Sequence, residues 1–326
     1  MADLSRIRQN KFLVLGRAGM DIYPDPPGTR TKEASQFFAC LGGSSANIAV
    51  ALTRHGGIAD LLTSVSDDAV GHFVLNQLDR YGVGRNHVKL VGGEARTSLA
   101  VVESRITDHQ SVIYRNGAAD FEVEADDYAN LDYSQYGALI LTGTALAAQP
   151  SKTATFEAIR LAKAAQLPII FDIDYRPYSW PSNEVAAKTY NSVAQLCDIV
   201  VGNDDEFGVM ANDYANGKAF AQSLAQSGVA IVIYKMGQLG SITFTSDQQF
   251  ETGIYAVDAL KPTGAGDAFM GSLVASLAQG EELEEAVRRG SAAAAYVVSR
   301  IGCAPAMPTT KQLEDFIDNH SGLSAA

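Results

Sequence analysis

Apolar and polar positions along this chain follow two rhythms. Short runs of β-branched and other apolar residues at 12–16, 138–142, 168–172, 198–201 and 230–235 have the length and composition of buried strands. Segments of helical length and periodicity lie between the later ones, at 151–166, 184–196 and 217–226. Strands that alternate with helices need crossovers, so the order predicts an α/β fold: a doubly wound, mostly parallel sheet flanked by helices on both faces. Two stretches break the rhythm. Residues 20–40 carry prolines and few apolar side chains, and residues 96–119 contain two extended runs, 97–102 and 111–115, that read as hairpin strands. Both are expected to form a small β lid over one edge of the sheet. With no internal repeat, low-complexity tract or linker of disordered composition, residues 1–326 are expected to make a single domain with that lid inserted.

Composition narrows the classes of function. The chain has 326 residues, 47% hydrophobic and 19% charged, enough for a large core. A formal net charge of -12 and a pI near 4.8 argue against nucleic acid or an anionic membrane as partner. An anionic substrate must therefore meet local cations. Cys40, Cys197 and Cys303 are odd in number and far apart, which predicts neither a disulfide framework nor a zinc site and suits a reducing, cytoplasmic setting. The polar residues 1–10 and the short apolar run at 12–15 are not expected to form a signal peptide or membrane span. The phosphate cradle GxxxxGK[ST], the zinc motif HExxH and the nucleophile motif GxSxG are absent, and the five histidines are scattered.

Four segments carry candidate chemistry. Gly264, Ala265, Gly266 and Asp267 open into the apolar, helix-forming run 268–277. Small residues at a helix start leave backbone N–H groups bare where the dipole is positive, a receptor for a phosphoryl group with a carboxylate base at its edge. A carboxylate there equally stabilises any helix start. Asp21 follows the first strand, where open α/β sheets bind ligands, and is placed to accept hydrogen bonds from substrate hydroxyls or to serve a turn. Gly42 and Gly43 allow close backbone approach ahead of a helix whose first turn holds Asn47, a pattern that also suits a tight turn with a serine cap. Asn203 and Glu206, three apart after a strand, share a helix face and suit hydrated Mg²⁺ on a nucleotide, or a capped helix start.

In this order and at these separations the four segments resemble the PfkB (ribokinase-like) family of carbohydrate kinases, over essentially the whole chain. The resemblance implies ATP and Mg²⁺ as cofactors and a small sugar as acceptor. It implies that Asp21, Gly43 and Asn47 grip substrate hydroxyls, that Asn203 and Glu206 manage Mg²⁺ through water and phosphate, and that Lys235, Gly237 and Gly240 border the nucleotide. Gly264, Ala265 and Gly266 would form the anion hole and Asp267 would be the catalytic base.

Three arginines bear on the acceptor. Arg17 flanks the first motif, Arg115 lies on the expected lid strand, and Arg176 follows a buried strand. Guanidinium groups converging on the pocket would favour an acidic sugar, whereas each alone suits a structural ion pair, with Asp172 or Asp174 beside Arg176. The stretches DIDYRPYSW and YRNGAAD look most like the branch of the family that phosphorylates 5-dehydro-2-deoxygluconate to its 6-phosphate in inositol catabolism. Alternatives are a kinase for 2-keto-3-deoxygluconate, fructose or ribose, and a sugar sensor without turnover. One position departs from the family: Lys261 stands six residues before the base, where many members carry an acid that helps bind a monovalent cation. Either its ammonium replaces that cation, so that none is required, or it is a solvated loop lysine. A homodimer through lid strands is a further expectation.

Overall fold

The computed structural model describes residues 3–320. In chain order its first half contains β1 (Lys11–Leu15), β2 (Gly19–Asp25), β3 (Gln36–Gly42), α1 (Ser44–Arg54), β4 (Ile58–Ser66), α2 (Ala69–Tyr81), β5 (Val88–Val91), β6 (Ser98–Val102), β7 (Ser111–Tyr114) and α3 (Asp126–Ala129). The second half contains β8 (Ala138–Thr142), α4 (Ser151–Ala164), β9 (Ile169–Asp172), α5 (Asn183–Ala194), β10 (Ile199–Asn203), α6 (Asp204–Met210), α7 (Gly217–Gln226), β11 (Ile231–Lys235), β12 (Ser241–Phe244), β13 (Gln249–Thr252), α8 (Ala265–Gln279), α9 (Leu283–Val298) and α10 (Thr310–Asn319).

Nine strands form one sheet in the order β13-β12-β11-β10-β9-β8-β1-β4-β5, parallel from β11 through to β5. The period-2 geometry of a strand splits its apolar run between two cores. Phe12, Val14, Ile140, Ile170 and Val201 point into a core with α1, α8 and α9. Leu13, Leu15, Leu139, Leu141, Phe171 and Val200 point into the opposite one with α4, α5 and α7. Burial on both faces is why these strands read as continuous apolar runs. The structure adds β4 and β5, which do not read that way: Thr63, Ser64 and Ser66 are buried in β4, with Ser64 Oγ donating to the Ala119 carbonyl and Ser66 pairing with Thr97. It also adds β12 and β13, an antiparallel hairpin on one edge. No helix among the described residues is long and apolar enough to cross a membrane.

A second sheet, in the order β3-β2-β6-β7, is mixed: β2 pairs antiparallel with β3 and parallel with β6, and β6 and β7 form a hairpin. This is the small β lid. All parallel strands of the large sheet end on one edge, which brings Thr142, Asp172, Asn203 and Lys235 to the ends of neighbouring strands. The lid sheet, through β2 and β3, joins that same edge to the start of α1.

Candidate functional site

Two helix starts meet at this edge. Gly264 caps α8 with φ +87, a left-handed conformation that a side chain rarely adopts, and a Cβ there would meet Cys303 Sγ at 2.8 Å. No side chain caps α8. Its opening residues Ala265, Gly266 and Asp267 therefore present N–H groups toward whatever lies ahead of the helix. Lys235 Nζ lies just across: a Cβ on Gly266 would come within 3.4 Å of it. Uncapped amides, the positive end of a 15-residue helix and a facing ammonium fit an anionic group such as a nucleotide phosphate.

Asp267 does not cap its own helix. Its Oδ2 accepts a 2.7 Å hydrogen bond from Asn47 Nδ2 in α1. The contact follows from packing one turn further on, where a Cβ on Gly271 would collide with the Ala51 Cβ. Only glycine lets α8 approach α1 this closely, and the same i to i+4 step on both helices then sets Asn47 against Asp267. Burial and, next, the nearby Asp174 carboxylate push Asp267 up to about 6, against the Asn47 amide and the cations Arg176 and Lys235. A carboxylate that titrates there suits proton transfer near neutrality.

A second group of site residues comes from the lid and the loop after β9. Asp21 is not a turn residue but lies within β2, opposite Cys40 of β3 and Ala100 of β6. Its buried carboxylate fills the space a Gly42 side chain would take, and its Oδ1 has no partner. Burial raises it despite Arg17, the Tyr23 hydroxyl and Lys261. Gly43 caps α1 with φ +95, so the expected serine cap is absent. Asn47 keeps a buried, unpartnered Oδ1.

The arginines arrive from three separate elements. Arg17, after β1, donates to Ser98 Oγ at 2.9 Å. Arg115, at the end of β7, is buried, ion-pairs with Asp120, lies 4.1 Å from the Phe121 ring and keeps Nη1 unpartnered. It lines a cavity of about 370 Å³ with Asn116, Gln149, Tyr178 and Ser179. Arg176 pairs with Asp174 at 2.6 Å and keeps 41% of its side chain exposed. Of the three only Arg176 contacts Asp174; burial pushes that carboxyl up, but Arg176, the Ser44 hydroxyl and the more distant charges of Arg17 and Arg115 outweigh it and hold it low.

Asn203 and Glu206 do not share a helix face. Asn203 ends β10 and caps α6, and Glu206 reciprocates in a capping box: Glu206 N–H donates to Asn203 Oδ1 at 2.9 Å and Asn203 N–H to Glu206 Oε2 at 2.7 Å. Glu206 Oε1 accepts from Tyr175 N–H at 3.0 Å, which ties the Asp174 loop to this strand end. Burial raises Glu206 despite Lys235 beside it. Asn203 and Lys235 are register partners on adjacent strands, and the turn Gly237–Leu239 with Gly240 follows. Lys261 is fully buried, so it is not a solvated loop lysine. Its ammonium donates to the Thr263 carbonyl and lies 4.0 Å from Cys303 Sγ, beneath the start of α8.

A family model described as pfkB family carbohydrate kinase matches residues 9–310. The chain belongs to this family. This PfkB enzyme is an ATP-dependent carbohydrate kinase, of a family that uses ATP with Mg²⁺. It is 39% identical over 320 residues to a 5-dehydro-2-deoxygluconokinase of Photobacterium profundum, covering 97% of each chain. To one of Geobacillus kaustophilus it is 33% identical over 320 residues, covering 97% of this chain and 96% of that one. Fructokinase with bound ATP from Xylella fastidiosa superposes with a TM-score of 0.84 at 25% identity, over 95% of this chain and 98% of that one. Aminoimidazole riboside kinase from Salmonella enterica shares the fold, with a TM-score of 0.80 at 23% identity, over 95% of this chain and 100% of that one.

Several residues around the site of this PfkB kinase were not anticipated from sequence. Asp120 follows Arg115 by five residues within the YRNGAAD stretch, so the pair was within reach of a local reading. Ser44, Tyr175 and Cys303 had no such signal, because each acts through a neighbour distant in sequence.

Proposed function

We propose that this kinase phosphorylates a sugar acid on its primary alcohol, converting 5-dehydro-2-deoxy-D-gluconate to its 6-phosphate. The observation that carries this reading is cationic capacity left over near the carboxylate Asp267 and an uncapped helix start: Arg115 keeps Nη1 unpartnered, Arg176 stays partly exposed, and the charges of both, with Arg17, bear on Asp174. An acidic chain concentrates guanidinium groups at one point when a carboxylate must be recognised there. The names of the 39% and 33% identical relatives point the same way.

In this reading Asp267 takes the proton of the acceptor hydroxyl as its oxygen attacks the γ-phosphorus of ATP in line; the new O–P bond forms as the bond to ADP breaks. Gly264, Ala265 and Gly266 donate backbone N–H groups to the transferring phosphoryl group. Asp21 and Asn47, each with an unpartnered buried oxygen, receive acceptor hydroxyls beside Gly42 and Gly43. Lys235, Gly237 and Gly240 border the nucleotide. Asn203 and Glu206, their side chains locked in the capping box, act on MgATP through water, where Mg²⁺ supplies charge neutralisation to the phosphates. Lys261 supplies the fixed cation beneath the anion hole in place of a monovalent ion. The lid closes over the acceptor and excludes water. Its exposed Phe37, Phe38, Val112 and Tyr114, on the edge strands β3 and β7, support pairing with a second copy.

The test is ADP release against a panel of six-carbon keto acids, aldonates, neutral ketoses and ribose, with the product's phosphate located by ³¹P NMR. The sugar acid is expected to give the highest kcat/KM by about tenfold or more, the discrimination a placed ionic contact provides. A neutral ketose or ribose outperforming every acid would reject the acidic acceptor. Binding without turnover would favour a sensor. Sedimentation of the purified enzyme, and of a Phe38→Lys variant, tests the lid pairing: a monomer in the wild type rejects it.

A further inference from the structure

Arg176 is tied to its own loop by an ion pair with Asp174 and by a 2.9 Å hydrogen bond from Nη1 to the Tyr175 carbonyl. Its Nη2 donates to Asp174 Oδ1 at 2.6 Å, and its charge also bears on Asp267. Asp174 is held in place from both sides. Before it, Ile173 N–H bonds the Val201 carbonyl at 3.0 Å; after it, Tyr175 N–H bonds Glu206. Between these anchors Asp174 adopts φ +40, a left-handed backbone that costs a residue with a side chain about 1 kcal/mol or more. Such strain at a buried acid marks a position that the surrounding structure enforces.

We propose that Asp174 is a positioning residue that keeps Arg176 off Asp267, leaving the base with only the neutral Asn47 amide as its hydrogen-bond donor and free to take a proton. A guanidinium fork engages both oxygens of a carboxylate. Asp267 paired in that way would lose its proton-accepting lone pairs to a permanent donor. The groups facing Asp267 are Asp174 and Arg176 from the loop after β9, Asp172 at the end of β9, Lys235 at the end of β11, the Cys303 thiol between α9 and α10, and Asn47 of α1. Lys235 divides its charge among Asp172, Glu206 and Asp267. Arg176 keeps Nη1 on the Tyr175 carbonyl, so Asp174 is the partner whose loss frees Nη2. This inference rests on Asp267 being the base and holds whichever sugar is the acceptor.

The experiment compares wild type, Asp174→Asn and Asp174→Asn/Arg176→Gln with a neutral acceptor, measuring kcat and KM against pH. Asparagine is isosteric and tolerates left-handed backbone, so the single variant is expected to melt as the wild type does. Should it melt early, Asp174→Gly removes the carboxylate while relieving the strain and carries the same comparison. In Asp174→Asn, kcat is expected to fall by about tenfold or more while its acidic limb moves to lower pH, because Asp267 loses a repelling neighbour and gains a pairing cation. Adding Arg176→Gln removes the freed cation and is expected to return kcat by about fivefold or more. An acidic limb that stays in place, or a defect that Arg176→Gln does not relieve, overturns the proposal. Full activity in Asp267→Asn would instead overturn the assignment of the base, so the two failures appear in different variants.

Discussion

Asn47 Nδ2 donates to Asp267 Oδ2 at 2.7 Å, joining two helix starts across 220 positions of sequence. The pair orients the carboxylate and, against burial, favours its charged form. Asp267→Asn is therefore expected to bind acceptor yet lose kcat by about 10²–10⁴, the range of a general base. The same substitution should stabilise the protein. Asp267 holds its proton more tightly folded, up to about 6, than an unfolded aspartate near 3.9, so its contribution to stability is intact below about pH 4 and is lost as pH rises through about 6. At pH 7.5 the variant is expected to gain up to about 3 kcal/mol, and nothing at pH 4. Thermal melts at the two pH values check the sign.

Activity follows the same titration. With the base active only when ionised, log kcat is expected to fall with unit slope below a midpoint near pH 6, set first by burial and then by Asp174. A midpoint at the ordinary aspartate value would contradict the observed environment. Product analysis under single-turnover conditions separates this limb from slow release.

Acceptor charge is tested at Arg176. Arg176→Gln is expected to raise KM for a sugar acid by about tenfold or more and to change KM for a neutral ketose much less. Arg115 is a poorer probe. Both members of its pair are buried, so its removal strands Asp120 at a cost of about 3–5 kcal/mol, whereas Arg176 is partly exposed and Asp174 keeps the Ser44 hydroxyl and the charges of Arg17 and Arg115 when Arg176 is lost.

Lys261 predicts a cation response. Its buried ammonium, bonded to the Thr263 carbonyl beneath the start of α8, supplies a fixed positive charge there. The wild type is expected to show equal kcat in potassium and in a larger organic cation at constant ionic strength. Lys261→Met is expected to lose activity. Strong potassium activation of the wild type would sink the substitution of ammonium for cation.

Much of this protein was legible in its sequence because the physics is local. Strands buried on both faces are apolar along most of their length unless partners satisfy polar side chains, so β1, β8, β9, β10 and β11 announce themselves. Small residues before an apolar helix at Gly264 to Gly266 expose amides wherever that helix goes. β4 hid because its buried Thr63, Ser64 and Ser66 are polar, and only tertiary partners such as Thr97 and the Ala119 carbonyl make serines tolerable inside. Asn203 and Glu206 left two geometries open, because a capping box and a helix-face pair have the same spacing, and the backbone at Asn203 chooses the capping box. Lys261 could be read as a stand-in for a cation or as a solvated lysine, since a lysine in a loop carries no local mark of the packing above it; the structure buries it. What the tertiary structure alone decided is which polar and charged groups come near one another. Arg17, Arg115 and Arg176 come from three elements, and Asn47 reaches Asp267 because Gly271 lets two helices close against each other. Such contacts depend on the register of distant strands and helices, where a Coulomb interaction is decided by a few ångströms of approach that no run of neighbouring residues encodes.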